Sequence, residues 1–183
     1  SFSTMFRHAY AFNQDIGSWD TSKVTTMYQM FRAARKFNQD IGGWNTSSVT
    51  HFKSMFHGAI DFNNGGSSNI NNWNVSKATQ MRTMFQGATS FNQTISSWSF
   101  KSSTNRGLLR GFLRSASSYN QDLTCLDVSH FSNTKKPKNF NAGSGLVSSK
   151  LPKWGASVPS SCTAAPTLSS SVPADNATSV SST

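Results

Sequence analysis

The hydrophobic positions of this chain recur at a nearly constant interval, roughly 25 to 30 residues, which is typical of repeat proteins. An aromatic residue followed by Asn and then Gln or Asn marks each copy of the pattern. These copies begin at Phe12, Phe37, Phe62, Phe91 and Tyr119. A fixed period in this range predicts a repeat architecture in which each unit buries its apolar face against its neighbours.

Other apolar columns keep step with this tripeptide. An aromatic residue or Leu lies six positions before it, and an Ile or Leu after it is followed three positions later by Trp or Leu. Large aromatic side chains supply most of the apolar surface that such a chain can bury. The residues predicted to form the core of the repeats are Trp19, Trp44, Trp73, Trp98, Phe31, Phe56 and Phe85.

Each repeat contains two patterns that predict different elements. Ile16, Trp19 and Thr21 follow the L-x-x-L-x-L spacing that is typical of the strand of a leucine-rich repeat. Apolar residues at helical spacing then run from Val24 to Ala34. The sequence therefore predicts an α/β repeat solenoid that is leucine-rich-repeat-like, with a short strand and a short convex helix in each coil of about 25 residues.

The solenoid is predicted to occupy residues 1–133, with about five coils and a truncated N-terminal side, because the chain starts inside a repeat. Beyond about Asn133 the columns are no longer evident, and the remainder is rich in Ser, Thr, Pro, Ala and Gly. Such a composition buries too little apolar surface to offset the entropy lost on ordering. Residues 134–183 are therefore predicted to form a disordered linker or stalk.

An Asn column accompanies the aromatic residues of the tripeptide. Asn side chains bond readily to nearby backbone groups, and buried turn amides require such partners. We therefore predict a ladder that satisfies turn amides between neighbouring coils. Its members are Asn13, Asn38, Asn63, Asn92 and Asn120.

The net charge of +10 arises from 17 Lys and Arg against 7 Asp and Glu, and it favours acidic partners. Many of the cations fall on the predicted convex helices and on the turns that follow them. A solvated basic face without a partner is the default interpretation. The candidate polyanion-binding residues are Arg32, Arg35, Lys36, Arg82, Arg110 and Arg114. Nucleic acid is a less favoured partner, since the aromatic residues are assigned to the core.

Residues able to support catalysis or metal binding are not evident in this sequence. The His residues show no metal-ligand pattern, and P-loop, dinucleotide-binding, nucleophile-elbow and HExxH motifs are absent. We therefore predict no catalytic residue, no metal site, no cofactor and no enzymatic activity. No run of residues approaches the roughly 18 apolar residues of a membrane span.

The two cysteines, Cys125 and Cys162, are too few for a cysteine-only zinc site and lack C-x-x-C spacing. In a secreted protein they could form a disulfide that ties the tail to the last coil. Unpaired thiols, or a partner outside this chain, are the alternatives.

Two segments carry a resemblance to a known family. Residues 19–27, with the sequence WDTSKVTTM, and residues 37–41, with the sequence FNQDI, resemble the BspA-like leucine-rich repeats of the DUF285 type. The similarity covers roughly residues 1–133. Two departures occur near its end, because Phe100 to Leu109 lacks the helix columns and Leu126 stands in the Trp column.

Proteins with similar repeats include bacterial surface proteins and lipoproteins. The resemblance therefore implies a non-catalytic adhesion or interaction module at the cell surface or outside the cell. Its expected partner is an extracellular protein or an anionic polysaccharide. The alternative is a carbohydrate- or acidic-polymer-binding domain attached to an enzyme elsewhere in the full polypeptide.

Overall fold

The computed structural model describes residues 1–100, 106–129, 131 and 136–162. In these ranges the regular elements are short 3-10 helices and isolated parallel β-bridges, with no α-helix and no β-strand. The helices span Asn64–Gly66, Ser68–Asn72, Arg106–Leu109, Ser148–Lys150 and Ser160–Cys162. The bridges join Thr26 to His51, His51 to Gln80, and Ser99 to Asp127. The predicted α/β solenoid, with a strand and a convex helix in each coil, is therefore wrong.

Successive repeats nevertheless stack on one another in register. Phe6 N donates to the carbonyl of Met30 at 2.9 Å, and Phe31 N donates to the carbonyl of Met55 at 2.9 Å. The same bond recurs between the later repeats. We refer to each repeat as a layer, and to equivalent positions of successive layers as a column.

Left-handed residues explain why the helical spacing does not produce a helix. In the segment that begins at Met27, Gln29 has φ 53° and Ala33 has φ 58°. A right-handed helix cannot continue through such residues. Met30 N closes a turn on Met27 O at 3.2 Å, whereas Gln29 N crosses to Lys53 O of the next layer at 3.1 Å. The apolar spacing of three and four positions thus comes from a series of turns.

The same two positions are left-handed in every described layer. Their members in the other layers are Thr4, His8, Ser54, Gly58, Thr83, Gly87, Gly111, Ser115, Asn139 and Gly143. Four of these residues are glycines, which adopt this conformation without a steric cost.

Replacing Gly87 by Ala is expected to destabilise the fold by about 1 to 2 kcal/mol, the cost of a left-handed L-residue. Gly87 has φ 68°, and an added Cβ would lie no closer than 3.8 Å to Gly58, so the cost is conformational rather than steric. Urea titration measures it. Gly43→Ala is the matched control, because a Cβ there finds no atom within 4 Å and φ is not positive. Equal losses in the two variants would contradict this explanation.

Two columns of phenylalanine rings fill much of the core. Phe31, Phe56 and Phe85 stack with centroids 5.6 and 5.5 Å apart, and Phe37 and Phe62 stack at 5.9 Å in the second column. Within a layer the two columns touch, with 3.9 Å between the centroids of Phe31 and Phe37. All five side chains are fully buried.

The tryptophans form a third column. Trp44, Trp73 and Trp98 are buried and nearly parallel, with centroids 6.5 and 6.2 Å apart. Each indole N–H donates to an Ile carbonyl of the preceding layer, as Trp73 Nε1 does to Ile41 O at 3.1 Å. Trp19 differs from the other predicted core residues, because it lies in the first described layer and is 36% exposed.

A sixth layer lies beyond the predicted end of the repeats. Leu113 N donates to Phe140 O at 2.7 Å, and Leu123 N donates to Lys150 O at 2.9 Å. Trp154 packs on Phe140 with 5.1 Å between the ring centroids. The packed part of the chain thus extends to residue 162, although the sequence interpretation started the linker at 134. Residues 163–183 of that predicted tail lie outside the described residues.

The sequence contained a signal for this layer. Leu151 follows Leu123 at the same interval that separates Leu123 from Ile95, and Trp154 continues the Trp column in the same register. The signal was hidden by the Ser-rich composition around it, and by Val147 in place of the aromatic residue of the tripeptide.

A disulfide encloses the sixth layer. It joins Cys125 to Cys162, with 5.5 Å between the Cα atoms and a sequence separation of 37. The pairing that the sequence left open is thus the one present in the structure, and it links the fifth layer to the end of the described chain.

Candidate functional site

The Asn column is part of the scaffold. Asn38 N donates to Asn13 Oδ1 at 2.8 Å, and Asn63 N donates to Asn38 Oδ1 at 2.7 Å. Asn92 and Asn120 continue the same pattern at 2.9 and 3.0 Å. Each side-chain oxygen from Asn13 to Asn92 therefore accepts the backbone N–H of the next layer. These oxygens hold the layers in register, which is a structural role.

Acidic side chains at the turns also make local hydrogen bonds. Asp40 Oδ1 accepts from Gly42 N at 2.8 Å, and Asp122 Oδ1 accepts from Thr124 N at 2.8 Å. The backbone N–H and the hydroxyl of Thr124 lower the pKa of Asp122. Among the described residues, no group of three or more His, Cys, Asp or Glu is placed to hold a metal ion.

One surface column consists of cations in four successive layers. We define the first basic column as Lys53, Arg82, Arg110 and Lys138. Their carbonyls accept backbone N–H groups of the preceding layer at 3.0 to 3.1 Å, which places all four at equivalent positions. The side chains of the last three are exposed, and the Lys53 ammonium lies 5.7 Å from the centre of the Tyr28 ring.

A second basic column lies four positions further along each layer. It consists of Arg7, Arg32, His57, Gln86 and Arg114. From Arg7 to Gln86, the residue after each column member donates its N–H, at 2.8 Å, to the carbonyl of the next member. After Arg114 the same bond goes to Ala142, so the sixth layer has no charged side chain at this position. Three of the five positions in this column are arginines. The other two are His57, which is titratable, and Gln86, which is neutral.

The two basic columns are neighbours on the surface. In the layer that contains Arg110 and Arg114, the three residues between them, 111–113, are buried. No exposed residue of this segment therefore separates the two guanidinium groups. Together the two columns place at least one cation in each described layer of the stack.

The structure divides the six predicted polyanion-binding residues into separate groups. Arg82 and Arg110 lie in the first basic column, and Arg32 and Arg114 lie in the second. The expected convex helical surface does not exist, because the described segments contain no α-helix.

Arg35 and Lys36 lie outside both basic columns. The Arg35 guanidinium lies 5.1 Å from the centre of the Tyr10 ring, and Lys36 Nζ pairs with Asp61 Oδ2 at 3.0 Å. The pairing leaves Lys36 less available to an acidic partner than an unpaired lysine.

Two members of the first basic column, Lys53 and Lys138, were not among the six candidates chosen from the sequence. Lys138 follows Arg110 at the interval that separates Arg110 from Arg82. Lys53 precedes Arg82 at the interval by which the third copy of the tripeptide precedes the fourth. Alignment of the cations by repeat spacing, instead of by a helical face, would have found them.

His57 introduces a pH-dependent position into the second basic column. Burial, and then the charge of Arg32, lower the pKa of His57 from its usual 6.5. The unfolded chain therefore binds a proton here more readily than the folded protein. Neutral His57 therefore contributes to the free energy of unfolding above pH 6.5. This contribution is lost as the pH falls through the lower pKa that His57 has in the folded state.

We expect His57→Gln, which copies Gln86 of the next layer, to flatten the decrease in stability at acidic pH. Thermal unfolding of both proteins from about pH 7.5 to about pH 5 measures the difference in slope. His8→Gln is a control, because His8 is exposed in the first layer. Parallel profiles for wild type and His57→Gln would contradict the prediction.

In the part of the chain that the structure describes, no helix is long and apolar enough to cross a membrane. Neither a curated protein nor a solved structure matches the chain. The family described as "Mycoplasma protein of unknown function, DUF285" matches residues 1–69 and again 66–154. These matches cover most of the 183 residues and include the sixth layer up to Trp154. The chain therefore belongs to the DUF285 family.

Proposed function

We propose that this chain is a non-catalytic interaction module of the BspA-like type that acts outside the cell or at its surface. The observation that carries the proposal is the stack itself, which presents equivalent side chains of successive layers in columns. Such a surface offers the same weak contact several times along one direction. A long partner that engages several contacts at once gains affinity without needing a deep pocket.

The disulfide supports the proposed location. Disulfides form and persist mainly in oxidising compartments, which include the extracellular space. Cys125 and Cys162 are the only cysteines of this chain, and both are used in the bridge. A module that works outside the cell would benefit from this restraint on its last described layer.

Surface labelling of intact source cells tests the proposal. An antibody against this chain is expected to label cells that have not been permeabilised. Nonreducing peptide mapping of the extracted protein is expected to recover the peptides of Cys125 and Cys162 joined. Labelling that requires permeabilisation, together with alkylation of both thiols, would reject an extracellular module.

The basic columns favour a second candidate function, an acidic-polymer-binding domain attached to an enzyme. Mass spectrometry of the native polypeptide would distinguish the two candidates. Peptides of a catalytic domain in the same chain would favour the attached domain, whereas further repeats or an anchor segment would favour an adhesion module.

A further inference from the structure

We infer that the two basic columns form one binding surface for a linear anionic polysaccharide that runs along the stacking direction. The inference rests on the proposed function, because it names the partner class of the proposed interaction module. It assigns the contacts to Lys53, Arg82, Arg110 and Lys138, with Arg32 and Arg114 beside them.

The spacing of the cations fits a linear polymer. Equivalent phenylalanine rings of successive layers are 5.5 to 5.6 Å apart, and the backbones of the layers are joined by direct hydrogen bonds. The first basic column therefore presents one cation per layer through four layers. A compact ligand can reach only one or two of them, whereas an extended chain with regularly spaced anionic groups can reach all four.

The cations of the columns are not neutralised within the described structure. The ion pair found there joins Lys36 to Asp61, outside both columns. Like charges at equivalent positions of adjacent layers repel one another. A bound polyanion would relieve this repulsion, so binding is expected to raise the unfolding temperature of the protein.

The surroundings of the columns favour a polysaccharide over a nucleic acid. Single-stranded nucleic acids bind to grooves in which exposed aromatic rings stack on the bases. The rings between the columns, such as Phe56 and Phe85, are fully buried. In the described layers, Tyr28 is the one half-buried ring at a position equivalent to the first basic column, and a single ring does not form a row on which successive bases stack. Gln86 lies four positions after Arg82 in the same layer, and its side-chain amide suits the hydroxyls of a sugar.

The test uses the full chain and immobilised heparin as a sulfated polysaccharide, with affinity measured across a salt series. Arg82→Gln combined with Arg110→Gln removes two charges from the first basic column. Arg35→Gln combined with Lys36→Gln removes the same charge outside both columns. Thermal unfolding without heparin verifies that both variants are folded, which their surface positions favour.

We expect the column variant to bind heparin roughly 3- to 30-fold more weakly, the effect of two exposed ionic contacts. The matched variant should change affinity less than about 2-fold, because Lys36 is already paired with Asp61 and the Arg35 guanidinium lies over the Tyr10 ring. Wild-type affinity should fall steeply with salt, with a shallower slope in the column variant. Equal losses in both variants, or unchanged binding by the column variant, would overturn the inference.

A single-stranded oligothymidylate serves as the nucleic-acid probe. Weaker binding to it than to heparin supports the polysaccharide, and tighter binding overturns the partner class. Surface-exposed protein that does not bind heparin would reject this inference and leave the proposed function standing. Protein found only inside the cell would reject the proposed function, whatever the columns bind.

Discussion

Replacing Trp73 by alanine is expected to lower the free energy of unfolding by about 3 to 5 kcal/mol. Trp73 is 3% exposed and stacks between Trp44 and Trp98, so removal of its ring opens a cavity that faces two neighbouring layers. The substitution also removes the donor to the carbonyl of Ile41, which then lacks this hydrogen bond. Because a stack of repeats depends on contacts between neighbours, the loss weakens two interfaces at once.

Guanidinium unfolding followed by circular dichroism measures this effect. Trp19→Ala is the matched control, since Trp19 occupies the same column but is 36% exposed. Its loss should be clearly smaller. Similar losses for the two tryptophans would show that stacking between layers is not what stabilises the column.

The repeat and its core columns could be predicted from the sequence, because the interval between equivalent aromatic residues is the same whatever conformation the backbone adopts. The aromatic residues at Phe31, Phe56 and Phe85 recur at intervals that only stacked repeats explain. The local conformation could not be predicted in the same way. Apolar residues three and four positions apart are produced by an α-helix and also by successive turns.

The distinction between helix and turns depends on distant hydrogen bonds. The partner of Gln29 N is the carbonyl of Lys53, which belongs to the next layer and is a whole repeat away along the chain. Local patterns contain no information on such a partner. Gly58 and Gly87 were the available signs, because glycine recurs where the turns require positive φ.

Only part of the candidate site was predicted correctly, because its members were chosen from the predicted helices. Arg82 and Arg110 were found because they lie on the presumed helices, and Arg35 was grouped with them on that basis. In the structure the turns place Arg35 beside Tyr10, outside the basic columns. The error in local structure therefore became an error in the membership of the site.

Replacing both Cys125 and Cys162 by serine is expected to destabilise the sixth layer by about 3 to 4 kcal/mol, the loop-closure contribution for a bridge of this span. The bridge closes a loop with a sequence separation of 37, and the sixth layer lies inside that loop. In this layer the buried indole N–H of Trp154 has no hydrogen-bond partner in the described structure, unlike the indoles of Trp44, Trp73 and Trp98. The sixth layer is therefore the one most dependent on the covalent restraint.

Hydrogen exchange of single amides can locate the effect. The amide of Leu113 is bonded to Phe140 O of the sixth layer, whereas the amide of Phe31 is bonded to Met55 O, three layers away from the sixth. In the serine variant we expect Leu113 to lose protection while Phe31 keeps it, because each layer is stabilised chiefly by its neighbours. Equal loss at both amides would mean that the layers unfold together, and unchanged protection at Leu113 would mean that packing alone holds the sixth layer.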